Sequence, residues 1–133
     1  MSASLRNAVT GIPQFLYTNP SGSNPSGSTL SERRRREIYA LAVGYDFLIL
    51  EHDTYYFLQF NDDAPPSLLS LDSEGRVLRL DSFSKTISPG LRVGYVTGPK
   101  ELVGKVGQFV MASVMCGCSL SQVNISIIVL RIT

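Results

Sequence analysis

One short segment gathers an amine, two hydroxyl groups and a guanidinium: Asp81-Ser82-Phe83-Ser84-Lys85, followed by Arg92. It comes directly after Val77 to Leu80, a segment predicted to be a strand. A lysine at the carboxyl end of a strand, among small side chains, can be desolvated enough to lose its proton, as a nucleophilic amine must. Ser82, Ser84 and Arg92 can bind a phosphate. A single lysine is usually a surface residue, so it is the whole cluster that favours a covalent lysine site.

A second segment, Tyr17 to Ser28, is rich in turn residues and contains NPSGS twice in succession. Its composition fits either a low-complexity linker or an ordered loop. The ordered loop is favoured because a helix is predicted directly after it, from about Ser31 to Val43, where Thr29 and Glu32 have capping-box spacing. Apolar side chains recur at helical intervals, at Ile38, Leu41, Ala42 and Tyr45.

Charge points to no polyanionic partner. The formal net charge is +1, from 12 basic and 11 acidic residues, which favours neither nucleic acid nor an anionic membrane. The run Arg33 to Arg36 could be a nucleic-acid patch, but four consecutive helical positions spread around the axis. We therefore expect a solvated helix face.

The remaining elements alternate between helix and strand. Gly44 suits the end of the first helix, and Phe47 to Leu50 is an unbroken apolar run typical of a strand covered on both faces. Further strands are predicted at Val77 to Leu80 and at Val93 to Thr97. Pro99 can begin a helix that runs to about Val114. This order predicts the α/β class, but two convincing helices are few for such apolar strands, so part of the packing is expected to be missing.

SFSKTISPGLRVGYVTGP resembles the lysine motif of fold-type I aminotransferases dependent on pyridoxal 5'-phosphate (PLP), in the kynurenine/2-aminoadipate and fungal aromatic amino-acid branch. NPSGS at Asn24 to Ser28 is similar to the family's Asn-Pro-Thr-Gly turn. The segment Glu32 to Phe60 looks like the following helix, strand and cofactor-contacting stretch. The resemblance covers about Pro13 to Val114, with three motifs in the family's order, and implies a mostly parallel sheet with flanking helices.

The resemblance assigns a role to each matching residue. Lys85 would bind PLP covalently and later move a proton at the substrate. Asn24 and Tyr55 would hydrogen-bond the cofactor's phenolic oxygen. The phosphate would be held by Ser82, Ser84 and Arg92.

One position departs from the family. The residue after the strand's glutamate is normally an aspartate that pairs with the pyridine nitrogen of PLP, whereas this chain has Glu51-His52-Asp53. Asp53 could substitute through a slip of one residue, but in an extended segment such a slip turns the side chain to the opposite face. We therefore expect His52 at the ring nitrogen.

Family members are much longer, so the chain is expected to be a truncated central fragment. Residues 1–12 would be an N-terminal leader, 13–115 a partial PLP-transferase large domain, and 116–133 a divergent tail. Cys116 and Cys118 in that tail are too few for a metal site and a poor disulfide pair, which favours a reducing, cytoplasmic setting. Neither an export signal nor a membrane span is indicated.

Three functions are compatible with these residues. The first is an aminotransferase that moves an amino group from an aromatic or 2-aminoadipate-type amino acid to a 2-oxo acid. The second is a non-catalytic remnant, acting alone or associated with a second copy or a full-length relative. The third is a PLP-binding module that racemises or decarboxylates its substrate.

Overall fold

The computed structural model describes residues 13–60 and 64–132, so the leader predicted for residues 1–12 lies outside the described residues. Within these residues, four strands and four α-helices follow in the order β1 (Phe15–Thr18), α1 (Glu32–Tyr45), β2 (Leu48–His52), α2 (Leu68–Leu71), β3 (Val77–Ser82), β4 (Gly94–Thr97), α3 (Lys100–Ser113) and α4 (Ser119–Ile132).

The strands form one sheet in the order β1-β2-β3-β4. Strands β1, β2 and β3 run parallel, with Thr18 beside Glu51 and Glu51 beside Arg79, while β4 is antiparallel to β3. The predicted α/β class with a mostly parallel sheet is thereby confirmed. Because parallel strands end at the same edge, the segments after β1, β2 and β3 meet there.

The core lies between α1 and one face of the sheet, where Ala42, Phe47, Ile49, Leu68 and Val77 are buried together. The prediction that β2 is covered on both faces was wrong, because only one face of this strand is fully buried. Ile49 and Glu51 are fully buried, whereas Leu48, Leu50 and His52 are half-buried. This alternation places successive side chains on opposite faces.

The predicted start of the first helix near Ser31 is confirmed, but its capping residue and its end need correction. Ser31, not Thr29, is the N-cap, since its side chain accepts a hydrogen bond from the Arg34 amide. The Thr29 hydroxyl instead accepts one from the Gly22 amide at 3.0 Å. The helix continues past Gly44 and ends at Asp46, whose φ of 55° is left-handed.

Helix α3 agrees with its prediction, but β1, α2 and α4 were not predicted, and α4 occupies the stretch interpreted as a divergent tail. The expectation of only two convincing helices was therefore wrong. None of the helices in the described ranges combines the length and apolarity needed to cross a bilayer.

Candidate active site

A pocket of about 570 Å³ opens at the edge where the parallel strands end. It brings together three of the residues predicted to bind cofactor, Asn24, His52 and Tyr55. Its other lining residues are Tyr17, Thr18, Asn19, Ser23, Ser28, Leu30 and Thr54. Most of these residues carry hydroxyl, amide or imidazole groups, so the pocket suits a polar ligand.

Asn24 lies on a closed loop, residues 20–30. The Leu30 amide donates to the Pro20 carbonyl at 2.8 Å, which joins the two ends of the loop. Within it, the Ser23 amide donates to the Ser28 carbonyl at 2.8 Å and the Gly27 amide to the Ser23 carbonyl at 2.6 Å. Of the two readings of this segment, the ordered loop is therefore the one found.

Lys85 lies next to the pocket. Its Nζ is 5.7 Å from the centroid of the Tyr55 ring, within the range of a cation–π contact. The side chain is exposed, so the predicted desolvation of Lys85 is not found. Strand β3 and the turn after it carry the lysine to the sheet edge but do not cover it.

The predicted phosphate-binding residues are adjacent. The Ser82 hydroxyl donates to Ser84 Oγ at 3.0 Å and accepts from the Ser84 amide at 3.2 Å. Arg92 Nη1 donates to Ser84 Oγ at 3.3 Å and to the Pro89 carbonyl at 3.2 Å. Two hydroxyls and a guanidinium thus converge at the end of β3, as binding of a phosphate dianion would require.

His52 and Asp53 point to opposite sides of the sheet edge. His52 lines the pocket, and its Nδ1 is 2.5 Å from the Tyr17 hydroxyl oxygen. Asp53 is fully buried away from the pocket lining, where it accepts a hydrogen bond from the Ser21 hydroxyl at 3.1 Å. Of these two residues, it is therefore His52 that faces the pocket.

A buried ionic cluster supports this edge from beneath. Asp53 Oδ2 lies 3.9 Å from Arg35 Nη1 and 3.7 Å from Arg79 Nη1, and Arg79 Nη1 is 3.9 Å from Glu51 Oε2. Burial raises the pKa of Asp53 even though Ser21 and the two arginines oppose the change. Burial likewise raises the pKa of Glu51, whose carboxylate accepts the Leu68 and Leu69 amides at the start of α2.

Arg35 is the residue that the sequence analysis missed. The run Arg33 to Arg36 was expected to be a solvated face, and three of its members are exposed, but Arg35 is 0% exposed. Burial lowers the pKa of Arg35, against the opposing effect of Asp53 and Glu51. The available signal was its helical spacing from Ile38 and Ala42, which places Arg35 on the apolar face.

Comparison with known proteins gives consistent matches. The family model described as aminotransferase class I and II matches residues 1–126. The kynurenine/alpha-aminoadipate aminotransferase of Bos taurus, named as mitochondrial, is 50% identical over 121 residues, covering 91% of this chain and 28% of its own length. An aromatic amino acid aminotransferase of Schizosaccharomyces pombe is 52% identical over 113 residues, covering 71% of this chain and 24% of its own.

Among solved structures, the alpha-aminoadipate aminotransferase LysN of Thermus thermophilus superposes with a TM-score of 0.81 at 31% identity, covering 90% of this chain and 31% of that one. That structure is a complex with N-(5'-phosphopyridoxyl)-L-leucine. The present chain thus spans about 28% of the length of the bovine relative it matches.

Proposed function

Because the chain belongs to the class I and II aminotransferase family, we propose that it carries the PLP-binding part of an aminotransferase. The relatives' names support an aromatic or 2-aminoadipate-type amino acid and a 2-oxo acid as substrates. When bound, PLP supplies a ring that withdraws electrons from the substrate's α-carbon.

The observation that carries this proposal is the position of Lys85 Nζ, 5.7 Å from the centroid of the Tyr55 ring. The Tyr55 hydroxyl and the Asn24 amide would hydrogen-bond the phenolic oxygen of PLP. Ser82, Ser84 and Arg92 would bind its phosphate. The Lys85 amine would attach the cofactor and then hold or release a proton beside the substrate's α-carbon.

The residues assigned by the resemblance carry groups suited to the phosphate, the phenolic oxygen and the covalent attachment of PLP, whereas His52 is poorly suited to the ring nitrogen. A carboxylate there would compensate the positive charge of a protonated pyridine, whereas an imidazole is neutral or positive. His52 therefore favours a second candidate function, a chain that binds PLP but transfers amino groups slowly or not at all. Such a chain could associate with a second copy or with a full-length relative. We retain the cytoplasm as the proposed compartment, although the bovine relative is named as mitochondrial.

One assay separates these candidates. Purified chain is titrated with PLP while absorbance is recorded, and it is then given tyrosine or 2-aminoadipate together with 2-oxoglutarate. Glutamate formation that disappears in Lys85→Ala supports the aminotransferase. An absorbance change without glutamate supports the binding protein, and the absence of any change at saturating PLP contradicts both.

A further inference from the structure

One buried guanidinium holds both ends of the loop that carries Asn24. Arg35 Nη2 donates to the Pro20 carbonyl at 3.3 Å, and Arg35 Nε donates to the Leu30 carbonyl at 3.0 Å. Pro20 and Leu30 are the first and last residues of loop 20–30. The same side chain therefore closes the loop and attaches it to helix α1.

Ser21 extends this attachment to the end of β2. Its hydroxyl accepts from Arg35 Nη2 at 2.9 Å and donates to Asp53 Oδ2 at 3.1 Å, and all three side chains are fully buried. Asp53 directly follows His52 in the chain. The path Arg35–Ser21–Asp53 thus joins the wall of the pocket that contains Asn24 to the wall that contains His52 and Tyr55.

The backbone around Asp53 is fixed as well. The Asp53 amide donates to the Leu80 carbonyl at 3.2 Å, and the Asp53 carbonyl accepts from the Tyr56 amide at 3.1 Å. Charges buried in a low-dielectric interior tolerate little displacement from their partners. A movement of Ser21 would therefore leave buried polar groups unpaired.

We propose that Ser21 is a positioning residue for the cofactor site: its hydroxyl sets the separation between Asn24 and the His52–Tyr55 segment, and through it the affinity for PLP. Ser21 does not touch the ligand and lies outside the pocket lining. The effect on affinity rests on the proposed function, whereas the effect on loop geometry does not.

The geometric half of the proposal is tested without cofactor, by hydrogen exchange on the full chain. Ser21→Ala should speed exchange of the Gly22, Ser23 and Gly27 amides, which are hydrogen-bonded within the loop. Ser113→Ala, a serine on helix α3, is the control and should leave those amides unchanged. Wild-type exchange rates in Ser21→Ala would overturn the proposal. Should that variant fail to fold, Ser21→Cys has nearly the same volume but bonds weakly, and the same criterion applies.

The functional half is tested by a double-mutant cycle on the dissociation constant for PLP. Ser21→Ala should weaken binding by up to about tenfold, the equivalent of one lost hydrogen bond. Combined with Asn24→Ala, it should weaken binding no further than Asn24→Ala alone, because both act through the same contact. Ser21→Thr keeps the hydroxyl and should retain wild-type affinity.

Fully additive losses, or a Ser21→Thr variant that binds as weakly as Ser21→Ala, would overturn the positioning role. If the wild-type chain binds no PLP, the proposed function fails, and the exchange rates alone then decide whether Ser21 positions the loop.

Discussion

His52 separates this chain from the pattern that its family resemblance implies. It lines the pocket beside Asn24 and Tyr55, and its Nδ1 is paired with the Tyr17 hydroxyl. The neighbouring carboxylate, Asp53, is held beneath the sheet edge by Ser21 and cannot take its place without breaking a buried hydrogen bond. Under the proposed function, His52 therefore replaces the family's carboxylate at the ring nitrogen of PLP.

Replacing His52 by aspartate should strengthen PLP binding and raise any amino-transfer activity. A charged hydrogen bond contributes about 1.5–3 kcal/mol, so we expect a gain of at least about tenfold. PLP titration and glutamate formation measure the two effects. His52→Asn, which can hydrogen-bond but carries no charge, should give neither gain. An equal or lower affinity in His52→Asp would show that His52 does not face the ring nitrogen.

The motif around Lys85 shows how far local sequence determines the site. Ser82, Ser84 and Arg92 are close in the chain, so their adjacency follows from one strand and one turn. The exposure of Lys85 could not be read in this way, because covering a side chain depends on elements distant in sequence. The direction of Asp53 did follow from strand alternation.

Arginines in one helix should differ sharply in their contribution to stability. Arg35→Met leaves Asp53 without one of its two buried cations, and breaking a buried pair costs about 3–5 kcal/mol. Arg36→Met, the matched control, removes only an exposed pair with Glu32 and should cost less than about 1 kcal/mol. Urea unfolding followed by circular dichroism measures both. Equal midpoints for the two variants would contradict the assigned role of Arg35.

The turn before β3 should make stability depend on pH. Burial alone would raise the pKa of Asp72, but hydrogen bonds from the Arg76, Val77 and Glu74 amides and from the Tyr39 hydroxyl outweigh it, so the net shift is downward. Stabilisation by this carboxylate is therefore present above its ordinary pKa and is lost as pH falls through the folded-state pKa.

Asp72→Asn keeps one acceptor oxygen and should lower the free energy of unfolding by about 1 kcal/mol near neutral pH. The difference from wild type should shrink as the pH falls below the ordinary aspartate pKa and through the lowered folded-state pKa of Asp72, where this carboxylate becomes protonated. Asp46→Asn, an exposed aspartate paired with Arg76, is the control and should have a smaller effect. A difference that grows on acidification would contradict the assigned role of Asp72.

Helices and strands were predictable where their signals were local. Helices α1 and α3 and strands β2, β3 and β4 have apolar periodicity or bounded apolar runs. Strand β1 is short and borders a turn-rich segment, so its own sequence does not indicate a strand. Its extended conformation is stabilised by pairing with β2. The predicted start of helix α1 near Ser31 was confirmed, but Ser31 and not Thr29 caps it, because the Thr29 hydroxyl is bonded to the Gly22 amide.

The molecule as a whole exposes apolar surface on its last two helices. Helix α3 has no buried residue, whereas Ile125 of α4 is buried. Large exposed apolar side chains on and between these helices include Phe109, Met111, Val114, Met115, Leu120 and Leu130. Apolar patches of this kind mark interaction surfaces or aggregation sites, which is consistent with association with another chain.

Self-association should therefore rise with protein concentration in sedimentation velocity. Phe109→Lys combined with Leu120→Lys should reduce it, because two charges would be desolvated on association. Phe60→Lys, which replaces a fully exposed phenylalanine outside these helices, is the control and should associate like wild type. A wild-type chain that stays monomeric at every concentration would contradict this surface assignment.

Chemical trapping of the bound cofactor tests the claim that Lys85 is the lysine that binds PLP. The chain has three lysines, Lys85, Lys100 and Lys105. Protein incubated with PLP is reduced with borohydride, digested and mapped by mass spectrometry. We expect the phosphopyridoxyl group on Lys85, and its loss in Lys85→Ala but not in Lys100→Ala. Equal labelling of all three lysines, or none of Lys85, would contradict the claim.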